Sequence, residues 1–333
     1  MKAFMKTGSA IMFSAALLSA CGSGEETANG NEAERTGNET EVGNPNSTSG
    51  GTNGETDTDE ENEEEQETSS DDDAESEEEP VEIEFDPAEE GEEREAGVTK
   101  QDQYMQGGVF TGGEMKDATM IGNMEHGIHE GFERLVLDLH EWIPEETGEP
   151  KSVPSSFEVT KEAYPSRLVY SLQGLRAQPS NEDLPNLESA AYYSSMAITP
   201  IFDDTTVELA AYLQDSTEFE VYELHEPAKI VTDVRAVDRE EDYAPVFSLR
   251  TASISEDGPI EQTQGPEMAF MEEGSENVRI VHSADSTLFV EEDYYFSLEE
   301  AEEKKEALEN DGFEYDLFIE ERGMFDVPEN IEE

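Results

Sequence analysis

Between residues 134 and 234 the chain repeats one rhythm, a short run rich in Val, Ile, Leu, Tyr and Phe followed by a cluster of Gly, Pro, Asp or Ser. The runs are "RLVLDL" at 134–139, "FEVT" at 157–160, "RLVYSL" at 167–172, "TVELAAYL" at 206–213, "FEVYEL" at 219–224 and "KIVTDV" at 229–234. Side chains of this type fit a pleated, half-buried surface, and the turn residues at each end keep the runs short. Many short strands with regular turns predict a mainly β fold over residues 105–240, a β-sandwich or a barrel. Within it, "NEDLPNLESAAYYSSMA" at 181–197 is expected to hold one or two helical turns.

The pattern changes in residues 241–333. "VRIVH" at 278–282 and "LFV" at 288–290 predict strands, and "LEEAEEKKEALEN" at 298–310 predicts a helix. Ser297 is its expected cap, Glu300 completes a capping box, and Asp311-Gly312 supplies the stop. "FEYDLFIE" at 313–320 returns as a strand, so the expected C-terminal extension is a small β-β-α-β appendage.

Upstream, residues 22–99 show no apolar periodicity and carry 30 of the chain's 85 acidic residues against Arg35 and Arg94 alone. Such a segment cannot bury enough apolar surface to offset its ordering entropy, so residues 21–104 are expected to form a disordered acidic linker. One short alternating patch, "VEIEF" at 81–85, could be a stray strand or a docking segment. The tract "DTDEENEEE" lacks the Gly and terminal Glu of an EF-hand loop. Asn46-Ser47-Thr48 matches a glycosylation pattern that arises easily by chance.

The remaining 55 acids beyond residue 99 face only 15 Lys or Arg, which leaves the sandwich and appendage strongly anionic as well. Such a domain repels itself in dilute buffer and suits salt, where the Debye length shortens to about 3 Å at 1 M, so a salt-loving or alkali-tolerant source is expected. With no basic stripe to release counterions, nucleic acid is excluded as a partner.

Cys21 is the only cysteine, so neither an internal disulfide nor a thiolate metal cluster can form. Lys2 and Lys6 precede a small-residue and apolar run, residues 8–20, which is short of the roughly 20 residues that a membrane-spanning helix needs. The run ends in Leu18-Ser19-Ala20-Cys21, which resembles the lipobox of bacterial lipoproteins. That resemblance implies a signal peptide over residues 1–20, diacylglycerol on Cys21, and a mature chain held on the extracytoplasmic face of the cell membrane. Two or three acyl chains hold a protein there because each buried methylene contributes about 0.8 kcal/mol.

Three of the strand runs share a phrase: a basic residue, Leu or Ile, Val, and an apolar residue three positions after the Val. They begin at Arg134, Arg167 and Lys229, and two follow a proline, Pro165 or Pro227. At these residues the chain resembles the AMIN domain of cell-wall amidases and envelope secretin components, especially the AMIN-like lipoproteins of Gram-positive bacteria. The phrase "FEVYELHEPAKIVTDV" at 219–234 carries the likeness best, which extends over residues 115–237. The resemblance implies, for residues 105–240, a β-sandwich of two small sheets with a targeting or binding role in the envelope, with peptidoglycan as the usual proposed ligand and no catalytic residues. The positions that match its pattern are Arg134, Arg167, Lys229, Asp138 and Asp233, the candidate ligand contacts, although charges beside such strands also form ordinary surface ion pairs. Residues 291–321 resemble half of a SPOR peptidoglycan-binding domain.

Enzyme signatures are missing from the sequence. There is no Gly-x-Ser-x-Gly elbow, Ser-x-x-Lys pair, phosphate-binding loop or dinucleotide fingerprint. His126 and His129 are three apart but lack the HExxH arrangement, and no metal or other cofactor is expected. Trp142, Tyr192, Tyr193, Tyr294 and Tyr295 could stack on sugar rings or serve as core and edge residues. The sequence therefore describes a non-enzymatic, lipid-anchored envelope protein that binds wall components, with a protein-interaction or sensory module as the alternative and an unrecognised hydrolase as the remote one.

Overall fold

The computed structural model describes residues 91–332 apart from 145, 202, 238–242, 256, 257, 259 and 260. Cys21, the signal segment, the "VEIEF" patch and most of the acidic linker lie outside the described residues. The fold is mainly β, with three sheets and two helices of more than one turn among the described residues.

The first sheet runs in the order β1(Glu93–Glu95), β2(Gly108–Gly112), β6(Phe157–Glu162), β7(Arg167–Gln173), β9(Thr206–Leu213), β8(Tyr193–Thr199). The second runs β10(Thr217–Leu224), β11(Lys229–Ala236), β4(Phe132–Ile143), β3(Thr119–His129), with β5(Glu146–Pro150) paired to β4. Alternate residues of each strand face the space between the sheets: Leu135, Leu137 and Leu139 from β4 meet Leu168, Tyr170 and Leu172 from β7 and Leu209 and Ala211 from β9 in one core. Phe110 and Phe219 join the two sheets edge to face, with centroids 5.4 Å apart.

All six strand runs of residues 134–234 are strands, and β9 has the expected limits. The expected helical turns at 181–197 shrink to one 3₁₀ turn, Asn181–Asp183, and the end of that segment is the edge strand β8. The fold also starts earlier than the composition suggested. β1 pairs with β2 in parallel, and the stretch from residue 97 to 105 bridges to the edge strand β10 at Gly97–Tyr222 and Met105–Phe219. Residues 93–104, assigned from composition to the linker, are therefore part of the folded body.

The C-terminal lobe is a correction. Its order is β12(Val246–Thr251), α1(Glu261–Glu272), β13(Arg279–His282), β14(Leu288–Tyr295), α2(Leu298–Asp311), β15(Leu317–Arg322), a β-α-β-β-α-β unit where the sequence suggested β-β-α-β. The antiparallel sheet order β13-β14-β12-β15 is that of a ferredoxin-like split unit. Helix α1 escaped notice because Gly265 and Pro266 sit inside it, both of them residues that normally end helices. Helix α2 begins as expected, with the Ser297 hydroxyl accepting from the Glu300 N–H at 3.3 Å, but the Glu300 carboxylate accepts from the Ser297 hydroxyl, not from its N–H. Gly312 ends it with φ of 90°, in the left-handed region that glycine adopts most readily.

One face of this sheet packs on its helices through Leu249, Ile280, Val290 and Leu317 against Phe270 and Leu308. The other face holds Arg250, Arg279, Glu291, Glu320 and Arg322, and it grips the β6–β7 turn of the sandwich. Arg279 donates to Glu162 at 3.1 Å, to the Ala163 carbonyl at 2.8 Å and to the Tyr164 carbonyl at 2.6 Å. Arg322 also donates to the Tyr164 carbonyl, and the Ser166 N–H donates to the Met324 carbonyl at 2.7 Å. Ala163, Tyr164, Val246 and Met324 form an apolar cluster beside these bonds. Sandwich and appendage thus share one junction, and all described residues belong to one compact unit.

Candidate functional site

The five positions of the repeated phrase separate into two groups. Four of them lie together on the outer face of the second sheet, because β4 and β11 are antiparallel neighbours in a register that sets Arg134 opposite Asp233 and Asp138 opposite Lys229. Arg134 donates from Nε and Nη2 to the two Asp233 oxygens at 2.6 and 2.8 Å, a bidentate pair. Lys229 reaches Asp138 at 2.7 Å. Asp233 itself is fully buried, because the 97–105 stretch crosses above it and adds Lys100 at 2.9 Å.

The same face collects aromatic rings. Lys100 Nζ donates to the Tyr104 hydroxyl at 2.8 Å and lies 4.2 Å from the centre of the Phe132 ring, while Arg235 lies 3.8 Å from that of Tyr104. Burial opposes the charge on Lys100, but its hydrogen bonds to Tyr104 and Asp233 outweigh this and raise its pKa above the usual lysine value. Burial, reinforced by Asp233, pushes the Tyr222 phenol up to about 12. These charges are spent on one another, so the patch works as a clasp that fixes the 97–105 stretch to the sheet.

The two ion pairs should differ in strength. Lys229→Ala is expected to change unfolding free energy by less than about 1 kcal/mol, since both partners reach water. Asp233→Ala should remove about 2 kcal/mol, because it leaves Arg134 and Lys100 without their shared acceptor, though both can still turn toward solvent. Urea titrations of the two variants measure the difference.

Arg167 belongs elsewhere. It is buried on the outer face of the first sheet, pairs with Glu162 at 2.7 Å and donates to the Ile280 carbonyl of the C-terminal lobe at 2.9 Å. Its role is in the junction. Beside it, the Tyr212 hydroxyl accepts from the His282 N–H at 2.9 Å.

Where the two lobes meet they leave a cleft of about 410 Å3. Its apolar floor includes Pro165, Leu184, Met196, Leu213, Phe325 and Val327, and its polar lining includes Ser194, Ser195, Tyr212 and His282. Burial, with the nearby Arg167 charge, depresses the His282 pKa to about 4, so the ring is neutral at ordinary pH. Its nitrogens lie 3.3 Å from the Tyr212 hydroxyl and 3.2 Å from the Ile198 carbonyl, which leaves it occupied in holding the lobes together. Sequence reasoning missed this cleft, because its lining comes from segments far apart in the chain.

The other singled-out residues do not converge. His126 points inward, 3.2 Å from the buried Glu133, which also accepts from the Ala191 N–H at 2.5 Å, whereas His129 stacks on Phe132. Among the described residues no group of three His, Cys, Asp or Glu is placed to hold a metal ion. Tyr193 is core, Trp142 and Tyr192 are half-buried, and Tyr294 packs on Tyr164 at the junction, so the five aromatic residues form no common platform. No described helix is long and apolar enough to cross a membrane. No family model matches the chain, and no curated protein matches it.

Proposed function

We propose that this protein is a non-enzymatic envelope lipoprotein, anchored through Cys21 to the outer face of the cell membrane, whose two-lobed body binds cell-wall material such as peptidoglycan. The observation that carries the reading is the six-element C-terminal lobe. The segment at 291–321 that resembles half of a SPOR domain falls in β14, α2 and β15, and the β-α-β-β-α-β order of the whole lobe supports the reading. The AMIN-like sandwich is fastened to this lobe by the junction arginines, so a wall-binding surface on either would be presented by a single body. As a coil, a linker of this length would reach roughly 50 Å from the membrane, and like charges would stretch it further.

The test uses purified sacculi in high salt, where the chain's own repulsion is screened. The full chain carrying Cys21→Ala should co-sediment with sacculi well above an acidic control protein of similar size. Sedimentation equal to the control would end the wall-binding reading, and a native chain that leaves the membrane fraction unprocessed would end the anchoring one.

A further inference from the structure

The junction cleft contains a strand edge with no partner strand. β8 is the last strand of the first sheet, paired on one side with β9, and among the described residues no strand pairs with its other side. In an antiparallel pair the N–H and C=O of one residue point the same way and alternate along the strand. Ile198 turns its carbonyl away from β9 toward His282, so Met196, two residues earlier, turns its N–H and C=O outward too, into the cleft. Exposed Ser194 and Ser195 continue this edge toward the cleft mouth.

Charge narrows what can lie there. Among the described residues Asp326 is the only charged one lining the cleft, His282 is neutral, and no Lys or Arg takes part. Glu182, Asp183 and Asp285, all exposed, adjoin the lining residues Asn181, Ala284 and Ser286 along the chain. An uncharged floor with an acidic rim favours cationic partners and repels anionic ones.

We propose that this cleft binds an extended, lysine- or arginine-bearing polypeptide segment of a partner protein, which adds as a strand to the free edge of β8. Main-chain hydrogen bonds to Met196 supply affinity that does not depend on sequence, alternate side chains rest on Met196, Leu213 and Val327, and the flanking basic residues meet the rim. The proposal is independent of wall binding, which concerns a different ligand class.

The test presents the full chain carrying Cys21→Ala to a phage-displayed library of random dodecapeptides, with subtraction against the same chain carrying Ala284→Trp. Ala284 is exposed at the rim, so the indole fills the cleft without entering the core. Selected sequences should be enriched in Lys or Arg and in β-branched residues. A synthesised winner should protect the Met196 amide from hydrogen exchange and weaken at least tenfold with Ala284→Trp or with N-methylation at alternate residues. Ser194→Lys, at the exposed edge, is a second variant and should weaken basic peptides through like charge. The proposal is overturned if no peptide survives subtraction, if N-methylation in either register leaves affinity unchanged, or if a purified disaccharide-tetrapeptide fragment of the wall occupies the cleft in place of peptides. Sacculus sedimentation of the Ala284→Trp chain separates the two readings, since it should persist when peptide binding is lost.

Discussion

Unfolding free energy should rise between pH 7 and pH 10, with most of the rise traceable to Lys161. This side chain on β6 is 8% exposed, and its Nζ donates to the Thr217 carbonyl at 2.5 Å and to the Thr217 hydroxyl at 3.2 Å. Burial lowers its pKa from 10.5 to about 7, with Glu218 offsetting only part of the shift. Between those values the unfolded chain holds a proton that the folded chain has released, so raising the pH favours the folded state. Each unit is worth about 1.4 kcal/mol, which sets the whole gain on the order of 4 kcal/mol. Above about pH 10 the trend should reverse. Burial raises the pKa values of Tyr170, Tyr193 and Tyr295 above the ordinary phenol value, so the unfolded chain ionises first and gains the advantage. Urea midpoints at pH 7, 8.5 and 10 measure the profile, and Lys161→Met should flatten its rising limb. A native profile that is level or falling over this range would refute the assignment.

Glu291→Gln should loosen the junction before it loosens the sandwich. The Glu291 carboxylate is fully buried and accepts from Arg279, from the Ser248 hydroxyl and, at 2.5 Å, from Arg322. Burial alone would raise its pKa, but the two guanidinium groups hold it down at about 2. The amide keeps the shape and removes the charge, leaving two buried cations with less compensation, a loss of about 3 kcal/mol or more. Hydrogen exchange should quicken first at the Ser166 and His282 amides, which span the lobes, and urea unfolding should move to lower concentration.

Acid should act on the same place. A depressed carboxylate pKa gives stability that is present above the unfolded value of about 4.5 and lost as pH falls toward 2. His282 adds an earlier loss, because its folded pKa of about 4 lies below 6.5 and the unfolded state takes up the proton first as pH falls through that window. Burial opposes the charge on Glu162 too, but Arg167 and Arg279 hold its carboxyl below the usual range. The junction should therefore weaken in two stages, and Glu291→Gln should shrink only the more acidic one, which Glu162 shares.

The sandwich strands were legible where alternation was clean. β3 was not, because Gly122 and Gly127 interrupt "TMIGNMEHGIH" and read as breaks. In the fold Gly122 falls at a register shift between Ile121 and Asn123, where an added Cβ would lie 2.4 Å from the His140 ring, so the glycine that hid the strand is what lets His140 pack there. β1 was hidden for another reason: "ERE" has no apolar residue, and it is a strand because β2 offers an open edge. Residues 313–316 lack strand pairing because Phe313 and Tyr315 turn back onto Phe270 and Gly265 of α1, a contact that no local pattern announces.

The candidate positions were legible as residues, not as partners. Arg134, Asp138, Lys229 and Asp233 could be singled out by a repeated phrase, yet their pairing depends on the β4–β11 register, set by segments about a hundred residues apart. Arg167 carries the same phrase and does a different job, since it pairs with Glu162 of β6 and donates to the Ile280 carbonyl of β13. The junction itself had no signature, because Arg167, Arg279 and Arg322 converge only after both lobes have formed.

The clasp over the second sheet also has a mechanical side. Residues 93–105 are the stretch by which everything upstream is joined to the body, and β1 is a three-residue strand at a sheet edge. Tension arriving from upstream would peel β1 from β2 first, paying out slack of roughly 3.3 Å per freed residue. It would then meet the bridges at Gly97 and Met105 and the Lys100–Asp233 bond, which fasten the chain to both edge and face of the second sheet. On this layout a weak outer step would yield before load reached the core.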